Sequence, residues 1–318
     1  MKADGKVRVF FGMVNGIELT SSSQAQAQVQ AQAHPGRIVI PGWAILNKTG
    51  VTGKYDVSGS ALMFSDDHGQ TWQVGEVLTK GGRIENTQPS ESTVVKLKNG
   101  SLLVNIRDSL NVEDERDKTR CGCRLIGRSD DGGATWAALW QEPDLWSSGV
   151  EGSMITTSTC TSGTSLPSSI VWFSNPRSKT GRVNGTVYYS VNDGSPVSTI
   201  IHLHRNLIPR GVYREMLSLC LQGSWVEAGR VPGEVWKAGP GRPLDTFNFG
   251  YNMMVSLPTA TSPSNQAFGV LYQNGWVGNA GTHYAFECND PCCGPSVVHP
   301  ETSLCGVLFA RFELPLPK

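Results

Sequence analysis

Ser65-x-Asp67-x-Gly69-x-Thr71-Trp72 returns 64 residues later as Ser129-x-Asp131-x-Gly133-x-Thr135-Trp136, and a degraded copy, Ser190-Val-Asn192-Asp-Gly194, follows after a further 61. A period near sixty with strand-like runs between the copies means one repeated supersecondary unit, which needs its neighbours to bury its apolar face. The chemistry of the motif is local. Ser and Asp side chains bond turn amides, Gly takes a conformation that a side chain forbids, and Trp pins the turn onto a sheet. Asp67 and Asp131 are therefore expected to serve folding, and a calcium loop would need more oxygen ligands than the motif offers.

Short, turn-bounded runs lie at Val7–Phe11, Gly16–Leu19, Gly36–Pro41, Ser60–Phe64, Gly122–Gly127, Ser169–Ser174, Gly185–Ser190, Phe268–Tyr272 and Leu304–Phe312. They read as strands, with Pro41 expected to end the third. Units of about sixty residues, each a four-stranded sheet, stack radially into a β-propeller. The expected fold is all-β, and 36 glycines argue against a helical bundle. No linker or composition break divides residues 1–318, so a single domain is expected. The low-complexity tract SSSQAQAQVQAQAHP, within residues 20–35, is expected to be an exposed inserted loop.

The 27 basic and 27 acidic residues cancel, leaving no net field to recruit nucleic acid or an anionic membrane. No apolar run approaches the roughly 20 residues of a transmembrane helix. The start, MKADGKVRVFFGM, lacks the apolar core of a signal peptide, and the compartment stays open. Eight cysteines, with Cys121-x-Cys123 and Cys288-x3-Cys292-Cys293 among them, lack the paired spacing of a zinc site. Neither a metal nor a cofactor is expected. The Cys288 segment reads instead as a constrained loop. His202 and His204 alternate on one run, which fits a half-exposed strand face better than a metal pair.

Residues 91–108, ESTVVKLKNGSLLVNIRD, form a second organising feature. Two apolar-rich runs meeting at Asn99-Gly100 predict a two-residue hairpin loop of the primed type. That register pairs Lys98 with Ser101, Leu97 with Leu102, Val95 with Val104 and Thr93 with Ile106. Continued outward, it sets Glu91 opposite Asp108 and Ser92 opposite Arg107. Glu91 and Arg107 then emerge together at the open end but on opposite faces, sharing a site only if a bulge or strand exit re-aims one of them.

The two turn motifs, known as Asp boxes, together with this hairpin make the chain resemble the sialidase (neuraminidase) family of six-bladed propellers. The resemblance rests on order: Glu91 between the two boxes, Arg107 in Asn-Ile-Arg-Asp, Arg182 in SNPRSKTGRVNGTV, and Tyr251 in NFGYNMMVSL. Gly16-Ile17-Glu18-Leu19, Gly36-Arg37-Ile38-Val39-Ile40-Pro41 and Glu151-Gly152-Ser153-Met154 are similar to the family's structural strands. The family's Arg-Ile-Pro-type motif and its acid/base Asp are not identifiable, so by this resemblance the first one or two blades are missing at the N-terminus.

The resemblance implies an exo-α-sialidase acting on sialylated glycans of glycolipids or glycoproteins. Its substrate carries a carboxylate at the anomeric carbon, and guanidinium forks grip carboxylates bidentately. Arg107 and Arg182 would be two members of that clamp, with Arg177 a competitor for the second place. Tyr251 would be the nucleophile, since a charged carboxylate nucleophile is repelled by the substrate's own anion. A phenol of pKa about 10 needs a base, and Glu91 would serve. Two further readings stay open: a catalytically impaired sialic-acid or carbohydrate-binding propeller, and an interaction scaffold.

Overall fold

The computed structural model describes residues 6–11, 16–20, 34–47, 57–110, 121–147, 149–157, 170–178, 182, 185–191, 226–230, 252–257, 265–274 and 306–315. Within them every regular element is a β-strand. The first sheet contains β1 (Lys6–Phe11), β2 (Ile17–Leu19), β3 (Arg37–Asn47), β4 (Val57–Ser65), β5 (Gln73–Val74) and β6 (Leu78–Thr79). Its main path runs β1-β3-β4-β5, with β2 on β3 and β6 on β4.

The second sheet is a four-stranded meander of β7 (Pro89–Lys96), β8 (Leu102–Asp108), β9 (Cys123–Ser129) and β10 (Ala138–Trp146). A third meander follows with β11 (Ser153–Thr157), β12 (Ile170–Pro176), β13 (Gly185–Ser190) and β14 (Val226–Arg230). The last sheet joins β15 (Asn252–Leu257), β16 (Asn265–Asn274) and β17 (Gly306–Pro315). Strand β7 lies against β3 and β4 on one side and β11 on the other, and β11 lies against β15. Antiparallel meanders stacked face to face, each led by a strand touching the next sheet's leading strand, are successive blades of a propeller.

Both faces of the second sheet are buried. Val94, Leu102, Val104, Ile106 and Leu125 pack with Val39, Leu62 and Phe64 of the first sheet. Val95, Leu97, Leu103 and Ile126 pack with Met154, Val171, Phe173 and Tyr188 of the third. Trp172 then meets Phe268 edge to face, ring centroids 4.9 Å apart, carrying the packing into the last sheet.

The hairpin differs from its expected form. The Leu97 amide donates to the Ser101 carbonyl (2.8 Å) and the Gly100 amide to the Leu97 carbonyl (3.0 Å), so Lys98-Asn99-Gly100 make a three-residue loop. Gly100 has φ +92° while Asn99 is not left-handed, which is a turn followed by a glycine bulge rather than a primed two-residue turn. The register moves by one residue: Val95 pairs with Leu103, Thr93 with Asn105 and Ser92 with Ile106.

Pro41 does not end its strand. It lies inside β3 where the outer partner changes from β2, paired through Val39, to β1, paired from Gly42, so no ladder bond is lost there.

The turn motifs close as their residues require. The Gly69 amide donates to Ser65 Oγ (2.8 Å), the Thr71 amide to Asp67 Oδ1 (2.8 Å), and Thr71 Oγ1 to Asp67 Oδ2 (2.6 Å). Ser129, Asp131, Gly133 and Thr135 repeat those bonds. The third, degraded copy runs into residues 192–194, outside the described residues, as do the tract at 21–33, His202, His204 and the Cys288 loop.

Candidate active site

The bulge that the sequence required is present. Strand β7 shifts register between Pro89 and Ser92, so Ser90 and Glu91 together oppose Arg107. With the corrected register this brings Glu91 and Arg107 onto one face. Arg107 Nη1 donates to Glu91 Oε2 at 2.6 Å, and the pair is mostly covered, its side chains 14% and 18% exposed. Ser90 Oγ donates to the Arg107 carbonyl at 3.3 Å and shares a 2.6 Å bond with Ser109 Oγ, fixing the bulge from behind.

Behind the pair lies a charged row that the sequence did not reveal. The β8–β9 ladder sets Ile106 opposite Leu125, and one step further Arg107 faces Arg124. Glu142 of β10 pairs with Arg124 in turn. Across four strands the row reads Glu91, Arg107, Arg124, Glu142, on the face turned toward the third sheet. Arg124 is fully buried and Glu142 nearly so. Arg124 Nε donates to Asn105 Oδ1, Nη1 donates to the Val150 carbonyl at 2.9 Å, and the guanidinium lies 5.2 Å from the Phe173 ring centre. Burial pushes the Arg124 guanidinium down to about 9, against the field of buried Glu151 and with that of Arg107. The signal that could have exposed it was an arginine inside an otherwise apolar, buried-type strand, Cys-Arg-Leu-Ile-Gly.

Asp108 is a structural acceptor. Its Oδ1 takes the Gln88 amide (2.8 Å) and the Leu110 amide (3.0 Å), and its backbone N–H and C=O both bond Ser147 Oγ. Arg182 is buried, and its Nη2 donates to the Gly149 carbonyl at 2.9 Å. Its sequence competitor Arg177 is exposed. Consecutive carbonyls, Gly149 and Val150, thus receive Arg182 and Arg124. The structure brings Glu91 and Arg107 into contact and ties Arg182 to the segment that Arg124 holds. Tyr251 lies outside the described residues; the next residue, Asn252, is buried and accepts from Ser174 Oγ. Cys121 and Cys123 are joined as a disulfide immediately before Arg124. Among the described residues no group of His, Cys, Asp or Glu gathers as a metal site requires, and no helix is long and apolar enough to cross a membrane.

No protein-family model matches the chain. It is 31% identical over 169 residues to a sialidase of Micromonospora viridifaciens, a match covering 52% of this chain and 23% of that protein. It is 29% identical over 142 residues to a sialidase of Vibrio cholerae, covering 42% of this chain and 18% of the relative. The matches thus span less than a quarter of these curated relatives. Among solved structures, the NanB sialidase from Streptococcus pneumoniae superposes with a TM-score of 0.47 at 18% identity, over 83% of this chain and 28% of that one.

Proposed function

We propose that the chain is a member of the sialidase family, as its partial similarity to two curated sialidases supports, and that it acts as an exo-α-sialidase, releasing terminal sialic acids from glycolipids or glycoproteins with retention of anomeric configuration. The observation that carries this reading is the 2.6 Å contact of Arg107 with Glu91 at the bulged end of β7. A guanidinium has more than one donor edge, so Arg107 bonds Glu91 with one group and offers others to the substrate carboxylate. Arg182 supplies the second cation of the clamp.

In the proposed reaction Tyr251 Oη attacks the anomeric carbon as Glu91 accepts the phenol proton, and the bond to the aglycone oxygen breaks, the departing oxygen taking a proton from solvent. Water then attacks the same carbon and gives up a proton to solvent, the tyrosyl bond breaks, and the phenolate recovers its proton from Glu91. Two inversions give net retention. A phenol is used because it carries no charge for the substrate's anion to repel, and Glu91 supplies the activation that a neutral nucleophile lacks.

Release of a fluorescent aglycone from an α-sialoside tests the assignment. Tyr251→Phe and Glu91→Gln should each lower kcat/KM by about 10²-fold or more, the scale of a removed nucleophile or general base. A Tyr251→Phe protein as fast as the parent would remove the tyrosine from the mechanism.

A further inference from the structure

We infer that Arg124 is a positioning residue, a buried cation that fixes both arginines assigned to the substrate carboxylate. The functional half of this inference rests on the sialidase reading; the placement half rests on geometry alone.

Arg124 and Arg107 occupy facing positions on adjacent strands, which stand about 5 Å apart. Two cations that close repel unless anions flank them, and here buried Glu151 acts most strongly on Arg124, with Glu91 beyond Arg107 and Asp108 next to it in the chain. Arg124 cannot yield. It is fully buried, clamped through Nε to Asn105 and through Nη1 to the Val150 carbonyl, and packed on Phe173. Asn105 sits on β8 two residues before Arg107 and on the same face, so Arg124 is anchored to the strand that carries its neighbour. The repulsion therefore acts on the more exposed partner. It directs the Arg107 guanidinium away from β9 and toward Glu91, where it is found.

The second link runs through the backbone. By holding the Val150 carbonyl, Arg124 sets the Gly149–Glu151 segment, whose Gly149 carbonyl receives Arg182 Nη2. One buried side chain thus places Arg107 by charge and Arg182 by a shared strand of backbone. Depressed to about 9, its guanidinium still holds its proton at neutral pH.

The test compares Arg124→Met, which keeps length and loses charge, with Arg124→Lys, which keeps charge and loses the fork. In protein labelled with 15N-arginine, exchange of the Arg107 and Arg182 Nε protons with water is followed by NMR. Exchange should accelerate at least tenfold in the Met variant, with Arg107 largely restored by Lys and Arg182 not. Unchanged exchange at both arginines in the Met variant would overturn the inference. If that variant does not fold, Asn105→Ala releases the Nε anchor while keeping the charge, and loosened Arg107 exchange is again required. Binding of a 2,3-unsaturated sialic acid analogue is measured in parallel. Binding by the parent that weakens about tenfold in Arg124→Met supports both halves. A parent that never binds the analogue, yet shows the exchange changes, refutes the sialidase reading and upholds the positioning role.

Discussion

Asp67 uses both carboxylate oxygens on its own turn: Oδ1 on Ser65 Oγ and the Thr71 amide, Oδ2 on Thr71 Oγ1. The Thr71 hydroxyl first, then the Thr71 amide and the Ser65 hydroxyl, hold it at about 2, well below the ordinary carboxylate value. In Asp131 burial raises the value, and the Thr135 and Ser129 bonds outweigh it, so the net direction is again downward. A carboxylate whose folded value is depressed contributes stability above its unfolded value, and that contribution is lost as pH falls through the folded one. Asp67→Asn should therefore lower Tm near pH 6, and the gap to the parent should narrow between about pH 4 and pH 2. Thermal melts across that range check it; a gap constant with pH would mean that charge on Asp67 plays no part. These carboxylates are saturated by their own turns, whereas Glu91 meets a guanidinium at a strand end, which is why the motif aspartates carry no role in the proposed chemistry.

At the scale of the element, the hairpin tells what a sequence can and cannot convey. Its position, its two strands and its central Asn-Gly were all legible. The register was not, because a strand buried on both faces offers no alternation of apolar and polar positions to choose between neighbouring alignments. Val94 and Val95 both point into cores, one toward the first sheet and the other toward the third. Asn99 Oδ1 accepts the Ser101 amide at 3.0 Å, and this local side-chain bond belongs to the three-residue loop. The consequence reached the candidate site, since the one-residue slip together with the bulge decides that Glu91 and Arg107 share a face. Arg124 and Glu142 stayed hidden for a related reason: only the cross-strand ladder shows that they continue the same row. Gly100 carries the loop at φ +92°, so Gly100→Ala should cost about 1–2 kcal/mol in urea unfolding. An unchanged midpoint would mean that the turn relaxes to another type.

Across the whole molecule, the repeat led to equal turn motifs, but the stacking of sheets makes them unequal. Trp72 Nε1 donates to Gly69 of its own turn, at 3.0 Å, whereas Trp136 Nε1 reaches back to the Glu76 carbonyl of the first sheet's chain at 2.8 Å. Arg37 completes that docking. Its Nε and Nη2 grip Asp66 at 2.7 and 2.8 Å, its Nη1 donates at 3.2 Å to the carbonyls of Asp131 and Gly132, and its guanidinium covers the Phe64 ring at 4.1 Å. The arginine is buried at 5% exposure while Asp66 is 46% exposed, so the two ends of the clamp differ in value. Replacing Arg37 by Met leaves Asp66 solvated, at little cost, but strips two carbonyls of the neighbouring motif of a charged donor. We expect Arg37→Met to lose about 2–3 kcal/mol in urea unfolding, on the scale of broken charge-assisted bonds at a buried site. Hydrogen exchange separates this from a general weakening: amides of residues 131–136 should lose protection before those of 65–72, because only the second turn depends on a partner in another sheet. Equal loss in both turns would show that Arg37 supports its own sheet and that the blades are held together by their apolar faces alone.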